Sequence, residues 1–160
     1  MTLLVRNMRD GDAQAFLAVH HTAVRALAAH DYAPEVIEAW APLPITPAAV
    51  AGVVANREHE TRFVAERDGK LVGIASLVVA NSELRACYVA PEAARTGVGT
   101  ALIVQLEQAA RHAGLHYLQA DASLTAERFY RSLGYDVVAY GQHFLRHHLA
   151  MPCVKIRKVL

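Results

Sequence analysis

From Thr61 to Val89 apolar residues alternate with polar ones or run together in three short blocks, with turn residues between the blocks. The pattern predicts strands over 61–67, 70–79 and 83–89, joined by a two-residue hairpin turn at Asp68-Gly69 and a second turn at Asn81-Ser82. Upstream the spacing lengthens: Phe16, Val19, Ala23, Ala26 and Leu27 form one helical stripe to about residue 29, preceded by a short strand at Leu3–Arg6 and a start signal at Asp10-Gly11-Asp12. Pro34 opens a second helix that carries Val36, Ile37, Ala39 and Trp40 and stops before Pro42 and Pro44. Thr46-Pro47 caps a third, running to about Arg57.

Beyond Pro91 a loop with glycines at 97 and 99 leads directly into a helical pattern over 97–113, closed by Gly114. A strand is predicted over Leu115–Ala120, then a helix over Ala126–Leu133 capped by Ser123 or Thr125 and ended by Gly134. Tyr135–Tyr140 and Met151–Val159 read as a final hairpin, and Pro152 predicts that its second strand begins at a sheet edge. The strands 83–89 and 115–120 bracket one helix, so they are expected as parallel neighbours of a βαβ unit. The fold class expected is α/β: a mixed, mostly antiparallel sheet flanked by helices.

Composition narrows the function classes. With 160 residues and no linker-like stretch, one domain over 1–160 is expected, large enough for a real core. A formal net charge of +1, without blocks of like charge, gives no footprint for nucleic acid or a membrane surface. The longest apolar run, Leu71–Ala80, is about half of what a bilayer span requires. The N-terminal segment shows no export signal, so the expected location is cytoplasmic. Cys87 and Cys153 have no metal or redox spacing and are expected as reduced core thiols.

The two glycines at 97 and 99 remove side chains where a helix begins and its first backbone N–H groups lack partners. Together with the helix dipole they form a seat for a phosphate or pyrophosphate, and Arg95 adds a cation beside it. A Walker loop requires a lysine where Gly99-Thr100-Ala101 has none. A dinucleotide fingerprint requires Gly or Ala where Leu102 stands, and its glycines closer to the strand.

Val89-Ala90-Pro91, Gly97-Val98-Gly99 and Leu102 resemble motif A of the GCN5-related N-acetyltransferases, with one departure: the Gln/Arg position falls on Ala94, and Arg95 follows it. Ala126, Phe129-Tyr130 and Gly134-Tyr135 resemble motif B of the same family. The segment from Tyr32 through Trp40 to Pro42 is similar to one in a little-characterised bacterial subgroup of it. The resemblance implies an acyl-CoA N-acyltransferase fold, with acetyl-CoA in a cleft where strand 83–89 splays from 115–120. It implies that the Cys87-Tyr88-Val89 stretch holds the pantetheine arm, chiefly through the backbone of Cys87 and Val89, and that Arg95, Thr96, Gly97, Val98, Gly99 and Thr100 hold the pyrophosphate. Tyr130 becomes the acid that protonates the departing thiolate, and Tyr32 and Trp40 wall the acceptor pocket. The implied partner is a small-molecule or peptide amine; a homodimer is left open.

Amine acetylation requires a neutral amine, so a proton acceptor is needed, and Glu83 is the nearest carboxylate along the chain. Strand alternation predicts Glu83, Arg85 and Cys87 on one face. No histidine base is paired with Cys87, which disfavours an acyl-enzyme. His143, His147 and His148 lie in strand and loop rather than on a helix, so no metal is expected. The rival reading is a non-catalytic acyl-CoA-binding or regulatory module.

Overall fold

A computed structural model describes residues 2–160. Seven strands, β1 (Leu3–Asn7), β2 (Thr61–Arg67), β3 (Lys70–Val78), β4 (Glu83–Val89), β5 (Tyr117–Ser123), β6 (Asp136–Phe144) and β7 (Ala150–Val159), form one mixed sheet in the order β1-β2-β3-β4-β5-β7-β6. Every pairing is antiparallel except β4 with β5. The expected meander and βαβ unit are both present.

Helices α1 (Ala13–Leu27), α2 (Pro34–Trp40) and α3 (Pro47–Ala55) cover one side of the sheet, where Phe16, Val19 and Val53 pack on Val64 and Ile74. Helices α4 (Val98–His112) and α5 (Glu127–Ser132) cover the other, where Leu102, Leu106 and Tyr130 pack on Leu77, Leu118 and Ile156. Each large apolar side chain buried there contributes roughly 1.5–3 kcal/mol. Among the described residues, no helix is long and apolar enough to cross a membrane.

The local signals behave as their chemistry dictates. Asp68 and Gly69 both have positive φ (54° and 77°), the mirror-image turn that suits a two-residue hairpin. Gly114 and Gly134 end α4 and α5 at φ 85° and 91°. Thr46 caps α3 by accepting from the Ala49 N–H at 3.1 Å. Ser123, not Thr125, takes the cap before α5, accepting from Ala126 N–H at 3.2 Å, while the Thr125 hydroxyl donates to Asp31.

Two expectations are refined. The last strand, β7, does begin at an edge, where residues 150–152 pair with β6 alone, but from Cys153 to Val159 it lies between β5 and β6. Pro152 is tolerated because it precedes the first β5 pairing, Ser123 with Cys153, so its missing N–H costs no ladder bond on that side. The second correction concerns β4: Ser76 pairs with Ala86 and Leu77 with Leu84, so Arg85 is an extra, bulged residue. The bulge inverts the alternation. Leu84, Cys87 and Val89 meet the α4 side, whereas Tyr88 meets the α1–α2 side. Glu83 and Cys87 therefore lie on opposite faces.

Helix α4 approaches the sheet closely over Gly73, where a Cβ would sit 2.7 Å from Val98 Cγ1 and 2.8 Å from Leu102 Cδ1. Gly73→Ala should cost about 1–3 kcal/mol, because both neighbours are fully buried and have nowhere to move. Urea unfolding should show a lower midpoint at unchanged slope. An unaltered midpoint would mean that α4 can be lifted without loss.

Candidate active site

After the pairing of Glu83 with Gln119, fastened by Gln119 N–H donating to the Ser82 carbonyl at 2.9 Å, β4 and β5 share no further ladder position. Which backbone groups the gap exposes follows from the β3 side. Ala90 N–H donates to the Val72 carbonyl, and alternate residues of an antiparallel strand turn to the same neighbour. Ala90 and Tyr88 thus bond β3, and the N–H and C=O of Cys87 and Val89 face the gap. Tyr88 departs from its expected cofactor role: its backbone is spent on β3, and its ring packs 4.6 Å from His20 and 6.2 Å from Trp40 on the opposite face.

The gap leads to the start of α4. Gly97 is the N-cap with φ 88°, a conformation that favours glycine, and the first intrahelical bond runs from Ala101 N–H to the Gly97 carbonyl. The earlier N–H groups, from Val98 to Thr100, point out of the helix end without partners. The Val98 side chain is buried, so only its N–H is available there. Gly99 serves packing as well: a Cβ would lie 3.0 Å from the Phe129 ring, so the α4 start and α5 interlock. Thr96 shapes the loop, its hydroxyl donating to Ala93 C=O at 2.6 Å and accepting from Arg67 at 3.1 Å. Arg95 is exposed at φ 61° and forms no ion pair among the described residues.

Tyr130, on α5, is buried in the cluster that Cys87 and Val89 pack against. Its ring packs between Phe129 (5.1 Å) and Tyr135 (5.5 Å), and its hydroxyl has no hydrogen-bond partner among the described residues. Burial, reinforced by Cys87, Tyr88 and Tyr135 around it, raises this phenol well above its ordinary value. It is therefore protonated at neutral pH. Burial also pushes the Cys87 thiol up to about 12, which leaves it without the thiolate that a nucleophile requires.

On the α1–α2 face, Glu83, Arg85, Tyr88, Trp40, Asp121 and His143 line a cavity open to solvent. Glu83 is gripped by Arg85 through Nε at 2.7 Å and Nη2 at 2.9 Å, and that contact holds its carboxyl below the usual range despite burial. A carboxylate so held is a poor proton acceptor. Trp40 lines this cavity. Tyr32 does not: its hydroxyl donates to the Pro152 carbonyl at 2.7 Å and accepts from Leu124 N–H at 2.8 Å, tying β7 to the turn before α5. Tyr32 is a brace behind Trp40, 5.5 Å away ring to ring, and is consumed by the fold.

Sequence reasoning missed three participants. His20 stands edge-on to Tyr88, and burial with the nearby His21 pushes it down to about 3, so it meets the cavity wall as a neutral ring. Asp121 and His143 join across β5 and β6. His147 and His148 lie in a tight turn at φ 57° each, apart from His143 in the ladder. Only the odd-numbered register of β5 could have flagged Asp121, and nothing local could have paired it with His143.

A family model described as an acetyltransferase (GNAT) domain matches residues 28–156. A peptidyl-lysine N-acetyltransferase, YiaC of Escherichia coli (strain K12), is 37% identical over 76 residues, which are 48% of this chain and 50% of that protein. The chain thus matches about half the length of this curated relative. A crystal structure from Rhodopseudomonas palustris, described as a GCN5-related N-acetyltransferase: aminotransferase, class-II, superposes with a TM-score of 0.89 at 28% identity, covering 100% of this chain and 97% of that one. The PaiA N-acetyltransferase of Thermoplasma acidophilum, solved in complex with coenzyme A, has a TM-score of 0.78 at 18% identity, covering 100% of both chains. At that identity it bears on the fold alone.

The anion seat generates a prediction. Arg95→Ala should weaken coenzyme A binding roughly two- to tenfold at low salt, with the difference shrinking as ionic strength rises, because an exposed cation acts through a screened field. Calorimetry across a salt series checks it. Equal affinities at low salt would remove Arg95 from the seat.

Proposed function

The chain belongs to the GNAT family of acetyltransferases, and from that premise we propose that it transfers the acetyl group of acetyl-CoA directly to an amine. The observation that carries this reading is the parting of β4 from β5, which turns the backbone of Cys87 and Val89 towards an opening that leads to the start of α4, with Tyr130 in the buried cluster that Cys87 and Val89 pack against. The coenzyme A held by the Thermoplasma relative, on the same fold, is consistent with that assignment.

The residues fit the cosubstrate. The N–H groups at 97–100 suit a pyrophosphate, with Arg95 beside it, and the β4 edge suits the amides of a pantetheine arm. Acetyl-CoA, when bound, supplies the thioester whose acyl carbon is attacked. The chain supplies the rest. Backbone N–H donors of β4 polarise the carbonyl, Tyr130 holds a proton at its hydroxyl for the departing sulfur, and the buried rings around it exclude water. Trp40, Tyr88 and the Arg85-held carboxylate of Glu83 bound the acceptor cavity. Without a thiolate at Cys87, direct attack is favoured over an acyl-enzyme.

Calorimetry with acetyl-CoA followed by thiol release over a panel of amines and peptides tests the proposal. Binding without transfer to any of them would favour a non-catalytic acyl-CoA-binding module. For Tyr130→Phe, turnover should fall by roughly ten- to a hundredfold while acetyl-CoA affinity and thermal stability hold, since no hydrogen bond within the protein is lost. Because the phenol titrates above its ordinary value, the basic limb of the wild-type profile should lie above that value too, and it should flatten in the variant. Full turnover in the variant with reduced stability would make Tyr130 a packing residue.

A further inference from the structure

Register places Asp121 on β5, Lys155 on β7 and His143 on β6 on one face of the sheet, the face that also carries Glu83 through its pairing with Gln119. His143 Nδ1 lies 3.1 Å from Asp121 Oδ2, and Lys155 Nζ lies 3.0 Å from Asp121 Oδ1. Burial tends to raise the Asp121 carboxyl, yet the hydrogen bonds from Lys155 and His143 outweigh it and hold the group below its usual range. A carboxylate is an acceptor only, so Nδ1 must carry the hydrogen. In the neutral ring this leaves the Nε2 lone pair free. His143 and Asp121 both line the cavity that β4 lines with Leu84, Arg85 and Tyr88, next to the gap where Cys87 and Val89 expose their backbone.

We propose that His143 is the catalytic residue that takes the proton from the acceptor ammonium, with Asp121 as the positioning residue that sets its tautomer. The inference rests on the acetyl-transfer reading above and names the base that Glu83, gripped by Arg85, is poorly suited to be. The proton balance closes. The ammonium gives one proton to His143 Nε2, and the neutral nitrogen attacks the acyl carbon. As the C–N bond forms and the C–S bond breaks, Tyr130 protonates the sulfur and is itself restored by the second proton leaving nitrogen. His143 then releases its proton to solvent. An oriented imidazole suits this because a carboxylate behind it fixes which nitrogen is free.

The charged groups that face His143 are Asp121 from β5, Lys155 from β7, and Glu83 and Arg85 from β4.

The test has two arms on the full chain. Nitrogen-15 NMR of the imidazoles, which needs no acceptor, should find neutral His143 with hydrogen on Nδ1 in the wild type and a shift towards hydrogen on Nε2 in Asp121→Asn. Hydrogen on Nε2 in the wild type would overturn the proposal. The kinetic arm uses acetyl-CoA with three probes: a short peptide with a free N-terminus and a lysine, 1,4-diaminobutane, and methoxyamine, whose nitrogen is neutral at pH 7. For whichever ammonium probe the wild type acetylates, His143→Gln should lower kcat/KM by about a hundredfold and abolish its acidic limb, with the KM for acetyl-CoA unchanged. Turnover of methoxyamine should be nearly unaffected. A merely structural histidine would lower both alike, which overturns the inference alone, as would an unchanged pH profile. A wild-type protein that binds acetyl-CoA but acetylates no probe sinks the transfer reading, and this inference with it.

Discussion

Parallel strands normally stay together, and here the sheet is held as one piece while its two central strands share a single pairing, Glu83 with Gln119, and then separate. The candidate site depends on that separation. It frees the backbone of Cys87 and Val89, admits the Tyr130 ring from one side and opens the α1–α2 face on the other. Beside it the Arg85 bulge adds one residue to β4 between Leu84 and Ala86, a device that locally increases strand twist.

A gap in a sheet has to be braced around its rim. On the α4 side, the buried Glu107 carboxylate accepts from the Tyr135 hydroxyl at 2.8 Å and from Lys158 Nζ at 3.0 Å, while Lys158 also donates to the Leu133 carbonyl at 2.8 Å. That cluster joins α4, the end of α5 and β7, so the helix that carries Tyr130 cannot swing independently of the helix that forms the anion seat. Gly99 against Phe129 adds a contact without polar groups. On the other side, Tyr32 performs the same task with one hydroxyl between Pro152 and Leu124.

The charge pattern separates the two faces by chemistry. The α4 face around the gap is dry, and burial there raises Cys87 and Tyr130 together, so both stay protonated. The α1–α2 face is polar and paired. Arg85 occupies Glu83, and Lys155 with His143 occupies Asp121, so its carboxylates bind cations more readily than protons.

The elements were legible in the sequence because each is specified by neighbours: the Asp68-Gly69 turn by positive φ, the start of α4 by Gly97, the ends of α4 and α5 by Gly114 and Gly134. The two short motifs likewise disclosed the family, because backbone geometry there depends on a few adjacent residues. What tertiary structure alone decided was direction and partnership. Alternation along β4 put Glu83 with Cys87 until one bulged residue reversed it. Tyr32 read as pocket wall until its hydroxyl met partners 92 and 120 positions away. Asp121 and His143 are 22 residues apart, and neither has any local mark of chemistry. Their pairing exists only because β7 inserts between β5 and β6, and strand order is a long-range choice set by packing rather than by any stretch of chain.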